Sequence, residues 1–208
     1  MDTDLSTEES TTTNHHHSHG TRKLTARTTM SNTTQPLAEV KVTKMKECPM
    51  LTTGRITPLI MHSWTLACKR YKKHGGRSDA DIVSYVVEGM FELCLVVWYQ
   101  ADQTHIDGLT LDAYLLELSQ LVLEKNWAHD ILETILSLSQ GNRVFIDWKI
   151  EIKNLNAILA TSAAARALTK VQLKVQLQSN LYPDLRLNLS LEPVLATDLA
   201  TWAFEVKK

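Results

Sequence analysis

Residues 138–159 read LSQGNRVFIDWKIEIKNLNAIL. They open on a polar Gln-Gly turn and then place Phe145, Trp148, Ile152, Leu155 and Leu159 three and four residues apart. That period puts all five side chains on one face of an α-helix. Hardly any residue in the stretch is suited to chemistry. It reads as scaffold: a glycine-marked turn feeding a helix that carries two large aromatics on its buried stripe.

The same period runs outward in both directions. Thr57-Pro58 caps a helix with the face Ile60, Trp64, Ala67 and Tyr71, stopped by His74-Gly75-Gly76. Ser78-Asp79-Ala80-Asp81 resembles a capping box and leads a short helix ending near Gly89. Phe91 to about Asp102 is densely apolar and predicts a helix buried on most sides. Thr110 caps the next helix, with the stripe Leu111, Tyr114, Leu115, Leu118, Leu121 and Val122. Trp127–Leu138 carries Ile131, Leu132, Ile135 and Leu136 ahead of the Gln-Gly turn. Thr169-Lys170-Val171-Gln172 is a second capping box, Pro183 opens a short helix through Leu185 and Leu189, and Thr197-Asp198 caps a last helix bearing Trp202. No alternation of useful length predicts a strand. The expected class is all-α, with about eight or nine short helices.

Composition agrees. Of 208 residues, 44% are hydrophobic and only 7 are Gly and 5 Pro, which favours helices over a loop-rich sandwich. Residues 1–49 differ from the rest. They are rich in Ser and Thr, lack Phe, Tyr and Trp, and contain His15, His16, His17 and His19. A segment that can bury so little apolar area is expected to be a disordered arm, its histidines a flexible tract rather than a metal site. Cys48, Cys68 and Cys94 are odd in number and form no CxxC, which suggests reduced thiols inside a cell. The opening MDTDLSTEES is no signal peptide, and the apolar run Leu93–Tyr99 is far shorter than a membrane helix needs. A soluble, cytoplasmic protein without a membrane partner is expected.

The formal charge is -1 but unevenly spread. Between Met50 and Ser78 lie six basic residues, Arg55, Lys69, Arg70, Lys72, Lys73 and Arg77, and no acid; between Asp79 and Glu124 lie nine acids and no base. Three readings stay open. Both blocks can be solvated helix faces. The basic helix can instead meet the acidic face of another copy, since complementary patches steer association. Lys69, Arg70, Lys72 and Lys73 can also contact RNA, weakly and non-specifically, although bases at a helix C-terminus equally serve its dipole.

The chain carries no phosphate loop, GxGxxG, HExxH or GxSxG. His62, Cys68 and His74 lack zinc-ligand spacing, and Asp102 and Asp107 flank a loop where nothing else gathers. No enzyme, cofactor, metal or small-molecule substrate is expected. Trp64, Trp98, Trp127, Trp148 and Trp202 fall in five different predicted helices, as core anchors or, for one or two, subunit contacts.

Taken in order, these motifs resemble the Gag polyproteins of gypsy-type (Metaviridae) LTR retrotransposons over roughly residues 55–206. Leu95-Val96-Val97-Trp98-Tyr99 is similar to their aliphatic-Trp-Tyr element, and Thr110–Val122 to the helix that follows. Ser139-Gln140-Gly141 with Phe145, Trp148, Ile152 and Leu155 resembles the Gln-Gly aromatic element, related to the major homology region of retroviral capsids. Leu173, Leu177, Pro183-Asp184-Leu185-Arg186 and Leu189 resemble the family's leucine-rich ending. The resemblance implies two capsid-like helical lobes, 50–123 and 126–208, after the arm. It implies self-association into a shell around the element's RNA. It gives Gln140 the task of tying its turn to the helix while the aromatics pack beneath. Arg143-Val144 departs from the retroviral pattern, which has an acidic residue there, so a rearranged polar network is expected. The zinc knuckle usual downstream is not in the chain, and specific RNA packaging is not expected of it. The alternative is a domesticated Gag-derived module that docks a partner peptide in a hydrophobic groove of its N-terminal lobe.

Overall fold

The structure, a computed structural model, describes residues 36–44, 46–191, 193, 194, 196 and 198–206. The histidine tract, Thr197 and Lys207-Lys208 lie outside the described residues. The described chain is all-α apart from one two-stranded antiparallel pair, β1 (Val40–Lys41) and β2 (Met50–Leu51). Its helices are α1 (Pro58–Gly75), α2 (Ile82–Val87), α3 (Leu93–Ala101), α4 (Gln103–Asp107), α5 (Leu111–Val122), α6 (Trp127–Ser137), α7 (Phe145–Ser162), α8 (Lys170–Ser179), α9 (Pro183–Leu191) and α10 (Leu199–Glu205), with a 3-10 turn at Ala164–Arg166.

The caps explain several of these starts. Thr57, Thr110 and Thr169 each accept an N–H of the first turn through the side-chain hydroxyl, at 3.3–3.4 Å. Thr169 and Gln172 complete a reciprocal box, since the Gln172 side chain accepts the Thr169 N–H at 2.8 Å. Asp198 Oδ1 accepts the N–H groups of Ala200 and Thr201, both at 2.9 Å. Ser78 and Asp81 bond to each other in the turn just before α2 rather than over the helix's first turn.

Apolar side chains gather in two clusters. The first runs from Ala38 to Leu118 and is centred on Trp64, Ile82, Ile106 and Tyr114. The second runs from Ala128 to Val206 and is centred on Trp148, Ile152, Leu177 and Trp202. Membership changes across residues 123–126: Leu123 packs on the first cluster and Trp127 on the second. The halves also touch directly, because α1 packs against α7, where the buried Ile158 belongs to neither cluster.

Two expectations are corrected. The arm expected over residues 1–49 does not hold for its last part, since 36–44 and 46–49 belong to the first half. Val40 pairs with Leu51 and Lys41 with Met50, Ala38 is 3% exposed, and the Ala38 N–H donates to the Arg55 carbonyl. Gly54, at φ 133, makes this approach feasible, for an added Cβ would lie 2.5 Å from the Pro36 carbonyl oxygen. Strand pairing with a distant partner leaves no trace in composition, which is why a segment without aromatics looked like arm. The second correction is α3. It buries only Leu95 fully and leaves Leu93 and Val97 72 and 54% exposed, with Phe91 just before it at 54%. Apolar density alone cannot say how many sides of a helix are covered, and this half supplies only one.

His62 on α1 is half-buried, and its Nδ1 has no hydrogen-bond partner among the described residues. Burial pushes its pKa below the ordinary value. The unfolded chain therefore binds a proton more readily, so this group's contribution is complete above about 6.5, the free-histidine pKa, and is lost as pH falls below it. Thermal melts across that range are expected to show a loss on acidification that is shallower for His62→Asn; an identical pH slope counts against the role.

Candidate functional site

The Gln-Gly turn between α6 and α7 is built from backbone outward. Gly141 sits at φ 54, the left-handed region that suits a residue without Cβ. The Gln140 N–H donates to the Asn180 carbonyl at 2.9 Å. Its side chain then spans two elements: Nε2 donates to the Arg143 carbonyl at 3.1 Å, and Oε1 accepts the Tyr182 N–H at 3.1 Å. Gln140 is 7% exposed, so these bonds satisfy a buried amide. The turn therefore fastens the start of α7 to the end of α8. Arg143 gives the rearranged network its form. Its Nε donates back to the Gln140 carbonyl, and its guanidinium also contacts the Ser139 carbonyl and the Glu151 carboxylate.

Beneath the turn, Phe145, Trp148 and Ile152 are buried, at 7, 0 and 0% exposure. Phe145 meets Trp148 edge-on at 6.1 Å and Trp202 of α10 at 6.2 Å, so one ring joins two helices. Leu155 is only partly buried and lines an apolar groove with Leu59, Ile150 and Ile158.

In the first half, Trp98 is partly buried and stacks on Tyr114 at 6.3 Å. The Tyr99 hydroxyl donates to Asp107 at 2.9 Å, and burial, reinforced by that carboxylate, raises its pKa. The basic block divides. Lys69 pairs with Asp112 at 2.8 Å, and Lys72 pairs with Asp79. Arg77 lies 3.9 Å above the centre of the Tyr85 ring. Arg70 and Lys73 are exposed and make no ion pair with a described residue. The acids are largely engaged as well: Glu117 with His105 at 3.2 Å, and Glu92 with the Gly54 N–H at 2.7 Å. Two of the four α1 cations thus have partners within their own chain.

Cys68 is fully buried, Cys48 donates to the Tyr85 carbonyl, and Cys94 is exposed, all as thiols. Among the described residues no three or more His, Cys, Asp or Glu side chains gather as a metal would need. No helix among them is long and apolar enough to cross a membrane.

Sequence reasoning missed three features. Asn156 and Gln176 are buried amides that hold loops: Asn156 bonds both the N–H and the carbonyl of Leu168, and Gln176 donates to the Ile135 and Leu136 carbonyls. Phe91, Leu93 and Val97 form an exposed apolar patch. It is held in place because the Leu51 N–H donates to Gly89 and the Phe91 N–H to Leu51, at 2.8 and 2.9 Å. Finally, α7 divides by charge. Lys149 and Lys153 line one groove, and Asp147 and Glu151 line another. The spacing of four residues between the members of each pair was a legible signal for that division.

No protein-family model, no curated protein and no solved structure matches the chain.

Proposed function

We propose that the chain is a Gag-like capsid subunit of retrotransposon origin, which associates with copies of itself into a shell around RNA. The Gln-Gly aromatic element and the order of helices support the family reading. The observation that carries self-association is the set of exposed apolar side chains at the start of α3. Phe91, Leu93 and Val97 stand more than half exposed, Phe91 on backbone bonded to β2 and the other two a turn apart on α3 just after it. Neighbouring apolar side chains exposed on a surface mark an interaction site. An enzymatic role has no comparable support.

Light scattering after size exclusion, followed by negative-stain imaging over a range of salt, tests it. The wild type is expected to form species larger than a monomer and to yield particles. Leu93→Asp with Val97→Asp removes two apolar anchors and is expected to weaken association roughly 100-fold, as loss of about 3 kcal/mol of buried apolar contact implies. The helical circular dichroism should remain unchanged. A wild type that stays monomeric in every condition overturns the proposal.

A further inference from the structure

We propose that the groove between α7, the start of α8 and α10 binds single-stranded nucleic acid through its phosphates and bases. The inference rests on the RNA-enclosing reading only for its setting; the groove's chemistry stands by itself. The groove has a volume of about 740 Å³. Lys149 and Lys153 project into it from one side of α7, a helical turn or about 6 Å apart along the axis. Lys170 faces them from the first residue of α8. Lys149 Nζ lies 5.7 Å from the Phe145 ring centre, which holds a cation at the rim.

Asp198 is the one acid among the groove's described residues. Its carboxylate is turned to the N–H groups of Ala200 and Thr201, which keep its pKa below the ordinary value. Neither Lys153 nor Lys170 pairs with a described acid. The floor is small and aliphatic, including Ala157 and Ala203, and Phe204 stands at the edge 64% exposed. A cationic track beside an exposed aromatic ring is how single strands are held without sequence preference, the phosphates on the lysines and a base on the ring.

Two comparisons decide for nucleic acid in this groove. On α1, Lys69 and Lys72 are already paired with Asp112 and Asp79, so that block has less charge to offer phosphate. Of the acidic block between Asp79 and Glu124, Asp112, Asp79, Glu117 and Glu92 are engaged within their own chain too. A polyanion from outside is the better complement.

Fluorescence anisotropy with labelled oligouridine, on dilute full-length protein, reads the affinity. Lys153→Glu with Lys170→Glu is expected to weaken binding at least tenfold. Losing two phosphate contacts should also flatten the slope of log affinity against log salt by about 1.4. Phe204→Ala should weaken binding about fivefold or more, the low end for one base stack. Arg70→Glu with Lys73→Glu should change it by less than about twofold. Equal binding by wild type and the groove variant overturns the proposal, as does a larger loss from the α1 variant. So does a groove variant that keeps its RNA affinity but shows a lower mass by light scattering, because the groove then holds a second copy. The Leu93→Asp, Val97→Asp variant separates the two readings: it should bind RNA through the same lysines. A wild type that binds RNA through the groove but never assembles supports this site and defeats the shell.

Discussion

Trp148→Ala is expected to destabilise the second half by about 3–5 kcal/mol, the usual loss for an aromatic ring removed from a close-packed core. Trp148 is 0% exposed, and its indole N–H has no partner among the described residues. The loss is therefore one of packing, not of a hydrogen bond. It spreads because Phe145, which rests on Trp148, is also the ring that contacts Trp202. Trp148→Phe should recover a large part of the stability, since it restores most of the apolar area and leaves no polar group behind. Hydrogen exchange should show lost protection in α6, α7 and α8 while α1, α2 and α5 keep theirs, because the two clusters share no residue. Unchanged protection in α7 would contradict the central position given to this ring. Equal loss in both halves would mean that the α1–α7 contact couples them fully.

Gln140→Ala should cost about 1–3 kcal/mol, because it removes the side-chain partner of two half-buried backbone groups, each hydrogen bond worth about 0.5–1.5 kcal/mol net. Those groups are the Tyr182 N–H and the Arg143 carbonyl. Gln140→Glu keeps an acceptor for Tyr182 but replaces the donor that meets Arg143, so it should fall short of the wild type as well. Urea denaturation measures the loss, and faster exchange of the Tyr182 amide locates it. A variant whose Tyr182 amide exchanges as in the wild type would show that the bridge between the turn and the end of α8 does not stabilise the fold.

The legible part of the fold was its local part. Thr57, Thr110 and Thr169 sit where the caps form, and Leu111, Tyr114, Leu115 and Leu118 are buried as their spacing requires, although Leu121 of the same stripe and Leu136 of the α6 stripe stand half exposed. The element at Gln140, Gly141, Phe145, Trp148 and Ile152 is assembled as a turn over a core helix, with Leu155 left partly open to a groove. Less legible was Arg143. Its residue type announced a different network, but only the fold showed that Glu151, two turns along α7, and the Ser139 carbonyl would surround it. The α1 lysines show the opposite limit. Their sequence neighbours are all basic or neutral, so nothing local reveals that Asp112 and Asp79 arrive from later elements to pair with two of them.

By itself, the sequence determined the all-α class, most helix starts, and most of the residues that anchor the two cores. These follow from hydrogen bonds and periodicities spanning at most a few residues. Tertiary structure decided the rest: that residues 36–44 and 46–49 join the first half, that α3 keeps an apolar face uncovered, that Gln140 reaches Tyr182, and that three lysines from two helices share one groove. Each of these depends on the meeting of segments far apart in the chain. Residue spacing carries no record of such meetings, because the loops that bring the segments together are set by the packing of the whole.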